Sequence, residues 1–451
     1  MTKFASYKYP STQLHKMIFH STKNKNLTAS LEEAVFRSLP PDNGLYMPEK
    51  IPQINPEFLN TIETRSFKEI AVEVAFTLLA EDISREDIEG IINRAYDFEA
   101  PVVKITPDDY VLELFHGPSM AFKDFGARFM AALMSHFLLR SQKEIKILVA
   151  TSGDTGGAVA QGFYQVPGIS VTILYPSGKV SDIQEKQLTT LGHNVTAIEV
   201  EGTFDDCQKL VKEAFLDTEL TARFNLASAN SINIARLIPQ SFYFFSAYAQ
   251  LKKLGKPIVF SVPSGNFGNL SAGLLAYRMG LPVEQFLAST NLNNAVPRYL
   301  ESGSFEPVAS IETISNAMDV GNPSNFVRMI RFFNDDWNLV KKKISGYFFD
   351  DEQTKKTMRE IFGNTNYVLC PHTAVAYKAL EEFRQHSDSD FTGVFLSTAH
   401  PAKFVDLVEE TLGKSIDVPE RLKSLLSIEK AAIKMNPSFS EFKILLMNDL
   451  N

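Results

Sequence analysis

Apolar positions recur along this chain with two different periods. Between residues 30 and 105 the spacing is helical. Leu31–Arg37, Phe67–Ala80 and Arg85–Ala95 each place apolar side chains on one face, around a turn-rich segment at Pro40–Pro48. After Pro101 the pattern changes to short runs that are apolar throughout. Ile145–Ala150, Val171–Leu174, Val195–Val200, Pro257–Val262, Phe286–Ser289 and Gly393–Ser397 read as strands. Between them Ala158–Tyr164, Ile183–Leu191, Cys207–Phe215 and Leu270–Met279 read as helices. Strands that are apolar on both faces and alternate with helices predict an α/β protein, with parallel-type sheets flanked by helices. Residues 405–451 read as mostly helical, a closing cap, and no internal repeat is visible.

Length and charge narrow the function more than the fold. A chain of 451 residues has room for two or three domains. A net charge of −8 with no basic stripe argues against a nucleic-acid partner. Cys207 and Cys370 are too few for a disulfide framework, and neither they nor the eight scattered histidines show a metal-ligand spacing. The longest apolar stretches, Leu237–Ala249 and Ala131–Leu139, are interrupted and fall short of the ~18 residues of a membrane span. A cytoplasmic protein is expected. Residues 1–16 carry Lys3, Lys8 and Lys16 without an acid, an arginine or an apolar period, and are expected to be a disordered extension.

Candidate chemistry begins at Lys123, within Phe115-His116-Gly117-Pro118-Ser119-Met120-Ala121-Phe122-Lys123-Asp124-Phe125-Gly126. Phe125, Phe129, Met130, Leu133 and Phe137 follow at helical spacing, so the lysine stands at the mouth of a helix. Crowding by Phe122 and Phe125 disfavours its charged form, and a neutral amine can attack a carbonyl to form a Schiff base. Taken alone, a solvated lysine at a helix start satisfies the same pattern.

Ligands of open α/β sheets gather where strands end and helices begin, and several such junctions are unusual here. Thr151-Ser152-Gly153-Asp154-Thr155-Gly156-Gly157 follows a strand and can present backbone N–H groups to an anion, or be a structural glycine turn. Pro263-Ser264-Gly265-Asn266-Phe267-Gly268-Asn269 can cradle a phosphate on backbone amides and a helix dipole. Thr398, in Ser397–Lys403, offers a hydroxyl to a ring nitrogen or caps a helix. Ser231, Asn233 and Arg236 stand within seven residues, and either clamp an anion or cap a helix beside a solvated arginine.

Together these segments resemble those of the threonine synthases, pyridoxal 5'-phosphate enzymes of the tryptophan-synthase-β-like fold (fold type II). His116–Gly126 resembles the cofactor-lysine signature, Thr151–Gly156 the carboxylate loop, Pro263–Asn269 the cofactor-phosphate loop and Ser397–Phe404 the ring-nitrogen segment. The opening Ser30-Leu31-Glu32-Glu33-Ala34 through Pro41–Glu49 resembles threonine synthases specifically, and Ser181-x-x-Gln184-Glu185-Lys186-Gln187 also fits.

The resemblance implies roles residue by residue. Lys123 carries the cofactor and shuttles protons, Gly265, Asn266, Phe267, Gly268 and Asn269 hold its phosphate, and Thr398 meets the pyridine nitrogen. Ser152, Gly153 and Thr155 receive the substrate carboxylate, with Ser119 also at the substrate, and Ser231, Asn233 and Arg236 bind the substrate phosphate. Asp154 takes the place where many fold-type-II enzymes carry Asn against the phenolic oxygen, and is expected protonated or turned toward a backbone donor. The implied organisation is a mostly helical N-terminal domain over 17–105, a large cofactor-binding domain over 106–140 and 256–451, and a smaller mobile domain over 141–255. The implied reaction converts O-phospho-L-homoserine and water to L-threonine and phosphate, in a monomer or weak homodimer. The alternatives are an O-phosphothreonine phospho-lyase, a serine or threonine dehydratase, and a non-catalytic homologue that binds the cofactor.

Overall fold

The computed structural model describes residues 16–139 and 143–448; of the expected N-terminal extension only Lys16 falls within them. The predicted N-terminal helices form as Leu31–Arg37, Phe67–Leu79 and Arg85–Ala95. Two of them start in a reciprocal cap. Ser30 and Ser66 accept the N–H of Glu33 and Glu69, whose carboxylates accept the cap N–H in return. A small antiparallel sheet, Thr28–Ala29, Phe19–Ser21 and Tyr46–Pro48, closes this region.

Beyond it stand two sheets. The larger has the order Ile344–Phe348, Gln285–Thr290, Ile258–Pro263, Thr392–Ser397, Asp109–Glu113 and Val102–Lys104, parallel except for the last pair. The smaller has the order Ile433–Met435, Val195–Val200, Ile169–Pro176, Ile145–Ala150 and Asn225–Ser228, parallel throughout.

Side-chain alternation explains why the strands read apolar on every residue. In Ile145–Ala150, Ile145, Ile147 and Val149 join the central core, while Leu148 and Ala150 join the core on the opposite face. In the larger sheet, Phe260 and Val394 point into the central core, and Val259 and Phe395 into the outer one. The central core is continuous from the N-terminal helices through helix Lys123–Leu138 to the inner faces of both sheets. This helix, fully helical from Lys123 onward, is therefore clamped along most of its length.

The expected closing cap departs from the observed chain. Helices Val405–Leu412 and Glu420–Leu426 are present, but Ile433–Met435 is a strand that pairs with Val195–Val200. Helix Phe439–Asn448 then packs Phe442 and Leu446 with Leu210 of the smaller sheet's outer core. The chain from Ile433 onward thus packs on the smaller sheet. The edge of Val195–Val200 is covered by the tail over Ile198–Val200, which pairs the backbone there and buries Met435.

Candidate active site

Lys123 begins its helix directly after a segment stitched to the end of strand Thr392–Ser397. The Phe122 N–H donates to the Thr398 carbonyl at 2.8 Å, and the His400 N–H to the Met120 carbonyl at 3.0 Å. The lysine therefore has little freedom relative to Thr398. Its side chain is 17% exposed, with Nζ 3.8 Å from Asp154 Oδ2 and 5.3 Å from the centre of the Phe122 ring. Burial pushes its pKa below that of an ordinary lysine, Lys403 and Arg236 push the same way, and Asp154 opposes them.

The glycine loop after Ile145–Ala150 is built on one hydroxyl. Thr151 Oγ1 accepts the N–H groups of Gly153 at 3.0 Å and Gly156 at 2.9 Å. Gly153 has φ +133°, and a Cβ there would lie 2.5 Å from Gln184 Cδ, so no larger residue fits. The helix predicted from Ala158 starts instead at Asp154, which brings its free N–H groups up to Ser152–Thr155.

Asp154 corrects the expectation of a protonated or backbone-bound acid. Its Oδ1 lies 2.7 Å from Lys403 Nζ and accepts Gln184 Nε2 at 3.0 Å. Burial alone raises its pKa, but the ammonium groups of Lys403 and Lys123 overcome this and hold it well below the usual carboxylate range. It is an ion with two cationic neighbours.

Strand Ile258–Pro263 ends in the second loop. A Cβ on Gly265 would lie 2.6 Å from Met318 Cα and 2.8 Å from the Ala317 carbonyl, so two backbones meet without a side chain between them. Phe267 turns the chain with φ +58° into helix Gly268–Arg278. Asn269 accepts the Tyr243 hydroxyl through Oδ1 at 2.6 Å, while its buried Nδ2 has no partner among the described residues. A helix N-terminus, a close-approach glycine and an orphaned buried donor fit a phosphate group well.

Across the same cavity lies the buried guanidinium of Arg236. One Nη donates to the Ala229 carbonyl, and its Nε has no partner among the described residues. Ser231 Oγ accepts Asn266 Nδ2 at 2.7 Å and Asn325 Nδ2 at 3.3 Å. With both lone pairs engaged, its own proton is left to donate to a ligand.

Lys123, Ser152, Asp154, Thr155, Ser231, Arg236, Gly265–Asn269 and Thr398 all line one cavity of about 380 Å³. Three expected residues, Gly153, Asn233 and Ser119, do not line it. Asn233 donates from Nδ2 to the Val35 carbonyl at 2.8 Å, Ser38 Oγ at 3.0 Å and the Ser228 carbonyl at 3.2 Å, and its Oδ1 caps Ala235. Its amide is occupied in tying the segment to the N-terminal region. Ser119 is buried behind the lysine: its N–H donates to Asp124 and its carbonyl accepts Gln187 and Lys403.

Sequence reasoning missed three parts of the wall. The segment Ala317–Asn322, irregular and without apolar period, packs against Gly265. His372 receives the Ala317 N–H on Nε2 at 3.2 Å, which leaves a protonated Nδ1 buried at the cavity without a partner among the described residues. Burial pushes its pKa down to about 4, so it is neutral. Phe204, Asp205 and Gln208, at the start of helix Phe204–Leu216, form the rim. Only the Gly-Asn-Pro run at Gly321–Pro323 marked any of these as a turn.

Comparison with known proteins gives the family. Residues 110–398 match the family model described as pyridoxal-phosphate dependent enzyme. Residues 18–96 match threonine synthase N terminus, and 373–444 match threonine synthase, C-terminal. The chain is 42% identical to threonine synthase of Escherichia coli strain K12, over 96% of this chain and 100% of that protein. With the Saccharomyces cerevisiae threonine synthase it is 35% identical, over 92% of this chain and 94% of the relative. The crystal structure of the Escherichia coli enzyme superposes with a TM-score of 0.89, covering 96% of this chain and 100% of that one. A PLP-bound threonine synthase from Brucella melitensis gives 0.89 at 32% identity, covering 96% and 99%. Threonine deaminase isoform 2 of Solanum lycopersicum, 14% identical with a TM-score of 0.56 over 81% of this chain and 91% of that one, shares the fold. The chain belongs to the threonine synthase family, lyases of the type II fold with pyridoxal phosphate as cofactor.

Proposed function

We propose that this chain converts O-phospho-L-homoserine and water to L-threonine and inorganic phosphate. The observation that carries this reading is a second anion seat. Besides the loop Gly265–Asn269, the cavity that holds Lys123 is lined by Arg236, whose Nε has no partner among the described residues, and by Ser231, whose hydroxyl proton is left to donate. One phosphate belongs to the cofactor, and a second seat is needed only by a substrate that is itself phosphorylated.

When bound, pyridoxal phosphate supplies an electron sink that makes protons on neighbouring substrate carbons removable. The protein's own groups do the rest. Backbone amides of Gly265–Gly268 and the Asn269 amide hold the cofactor phosphate, and the Thr398 hydroxyl meets the ring nitrogen. Ser152, Gly153 and Thr155 orient the substrate carboxylate at the start of helix Asp154–Phe163. Lys123 Nζ takes the proton from the substrate's α-carbon, a task for which burial has already weakened its hold on its own. Arg236 and Ser231 stabilise the phosphate as it leaves. Closure of the smaller domain, with Phe204 and Gln208 at the rim, excludes bulk water until one molecule is added. No helix among the described residues is long and apolar enough to cross a membrane. Action in the cytoplasm, as a monomer or weak homodimer, is part of the same proposal.

The test is product analysis. Purified protein with O-phospho-L-homoserine should release phosphate and threonine in equal amounts. Release of phosphate with 2-oxobutyrate would overturn the assignment in favour of a phospho-lyase. Lys123→Ala should abolish the yellow, borohydride-reducible chromophore, and its survival would move the cofactor to another lysine.

A further inference from the structure

Lys403 follows the end of strand Thr392–Ser397 of the larger sheet, and its side chain has no solvent exposure. Its Nζ reaches across to the smaller sheet, 2.7 Å from Asp154 Oδ1, and also donates to the Ser119 carbonyl at 2.8 Å. Helix Asp182–Thr189, capped by Ser181, lays one face over the same place. Ser181 Oγ donates to the Lys403 carbonyl at 3.2 Å. Gln184 Nε2 donates to Asp154 Oδ1 at 3.0 Å, and Gln187 Nε2 to the Ser119 carbonyl at 2.9 Å. Positions spaced by three residues share a helix face, so these contacts form one array.

A buried ammonium is a poor device for merely joining two domains. Apolar contacts do that without desolvating an ion. The pairing is also asymmetric: Lys403 and Gln184 take Oδ1, and Oδ2 is the oxygen turned to Lys123 at 3.8 Å.

We propose that Lys403 is a positioning residue for the chemistry at Lys123. Its buried ammonium fixes the Asp154 carboxylate through Oδ1, holds Oδ2 toward Nζ of Lys123, and offsets the pull of that carboxylate on the lysine proton. The proposal rests on Lys123 as the cofactor-carrying lysine. Lys123 is otherwise faced by Arg236 and by the neutral His372. Asp154 also acts on Cys370, and Lys403 on Asp124 and His400. Removing the Lys403 charge takes a like charge away from Lys123 and leaves it as the sole ammonium paired with Asp154. Its proton then leaves less readily.

The measurement is the rate at which full-length chain, stripped of cofactor, recombines with pyridoxal phosphate at pH 7, because only neutral Lys123 reacts. An opposite charge relieved of its competitor shifts a pKa by about 1 to 3 units, so Lys403→Met should recombine about tenfold or more slowly. In the reloaded holoenzyme kcat should fall more than KM. Lys403→Arg keeps the charge and should return most of the rate. If Lys403→Met does not fold, Gln184→Glu sets a second negative charge beside Asp154 and should slow recombination in the same direction. A Lys403→Met or Gln184→Glu rate equal to wild type overturns the proposal, as does equal slowing in Lys403→Met and Lys403→Arg, the pattern of a purely structural contact. Failure of the parent reading looks different: Lys123→Ala would then still form the borohydride-trapped adduct, whatever the Lys403 variants do.

Discussion

The contact at Gly265 offers the sharpest test of how the cofactor seat is built. Gly265→Ala adds one methyl group at a point 2.6 Å from Met318 Cα and 2.8 Å from the Ala317 carbonyl. Carbon atoms sit comfortably at about 3.5–4.0 Å, so one of the two backbones must retreat by about 1 Å. Neither atom belongs to a side chain that can rotate away. If the Ala317 segment retreats, it strains the hydrogen bond from the Ala317 N–H to His372. If the Gly265 segment retreats, the amides aimed at the phosphate move with it. Overpacking of this kind costs about 1–3 kcal/mol. Because it falls on the seat itself, it should weaken cofactor binding by about 10- to 100-fold. Absorbance titration with pyridoxal phosphate reads the affinity, and thermal unfolding of the cofactor-free chain reads the packing cost. Gly363→Ala is the control. Gly363 lies in helix Asp351–Thr365 with nothing within 4 Å of its added Cβ, and alanine there should stabilise by about 0.5–1 kcal/mol without touching the affinity. Unchanged cofactor affinity in Gly265→Ala would refute the reasoning, since the seat would then tolerate a displacement its geometry forbids.

Two further predictions concern the residues around it. Asp124 is fully buried, accepts the Ser119 N–H at 2.8 Å, and has its pKa raised by burial from 3.8 to about 6. The fold therefore prefers its neutral form: that stability is fully present below the unfolded pKa of 3.8 and is lost as pH rises through about 6. The full loss amounts to about 3 kcal/mol, of which about 2.4 kcal/mol falls between pH 4 and 7, so in urea unfolding the advantage of Asp124→Asn over wild type should grow by about that smaller amount over this range; a constant difference would refute it. Asn233→Ala and Arg236→Met should separate cleanly. The first strands the Val35 carbonyl, costs about 1–3 kcal/mol of stability and leaves KM unchanged. The second raises KM for the phosphorylated substrate tenfold or more with cofactor affinity intact, and an equal rise in KM for Asn233→Ala would return that residue to the site.

What the sequence made legible follows from how local each signal is. Strands buried on both faces, such as Ile145–Ala150, carry their own evidence in an unbroken apolar run. Asp109–Glu113 does not, because acids stand at both ends: Asp109 pairs with Arg384, and Glu113 accepts the Tyr367 hydroxyl. Ile433–Met435 reads as tail because nothing within it tells which sheet edge lies open to it. The same division runs through the site. Gly153 and Gly265 declare themselves as turn residues after strands. The ionisation of Asp154 does not, since the cation that sets it sits in the turn Pro401–Phe404, after a strand of the other sheet. Asn233 misled for a related reason: an amide beside a serine and an arginine matches an anion clamp until Val35 and Ser38 are brought against it by the fold.

Two buried arginines differ in how fully the fold satisfies them, and the proposed phosphate role of Arg236 follows from that difference. Arg328 and Arg236 are 0% and 2% exposed, and burial lowers the pKa of each, to about 9 and about 10. Both therefore remain charged at neutral pH, at a cost in desolvation that hydrogen bonds must offset. Arg328 is saturated: it donates to the carbonyls of Tyr46, Ser231 and Ile232 and to Asn325 Oδ1. It thereby fixes the backbone on which Ser231 stands. Arg236 lines the cavity with one carbonyl partner and an unpartnered Nε. A guanidinium left this under-bonded is unfavourable in the empty chain and becomes favourable only when an anion arrives. Burial and charge alone cannot distinguish the two residues. The donor still free at Arg236 among the described residues, on the cavity that also holds Lys123, is what supports its proposed role as the seat for a phosphorylated substrate.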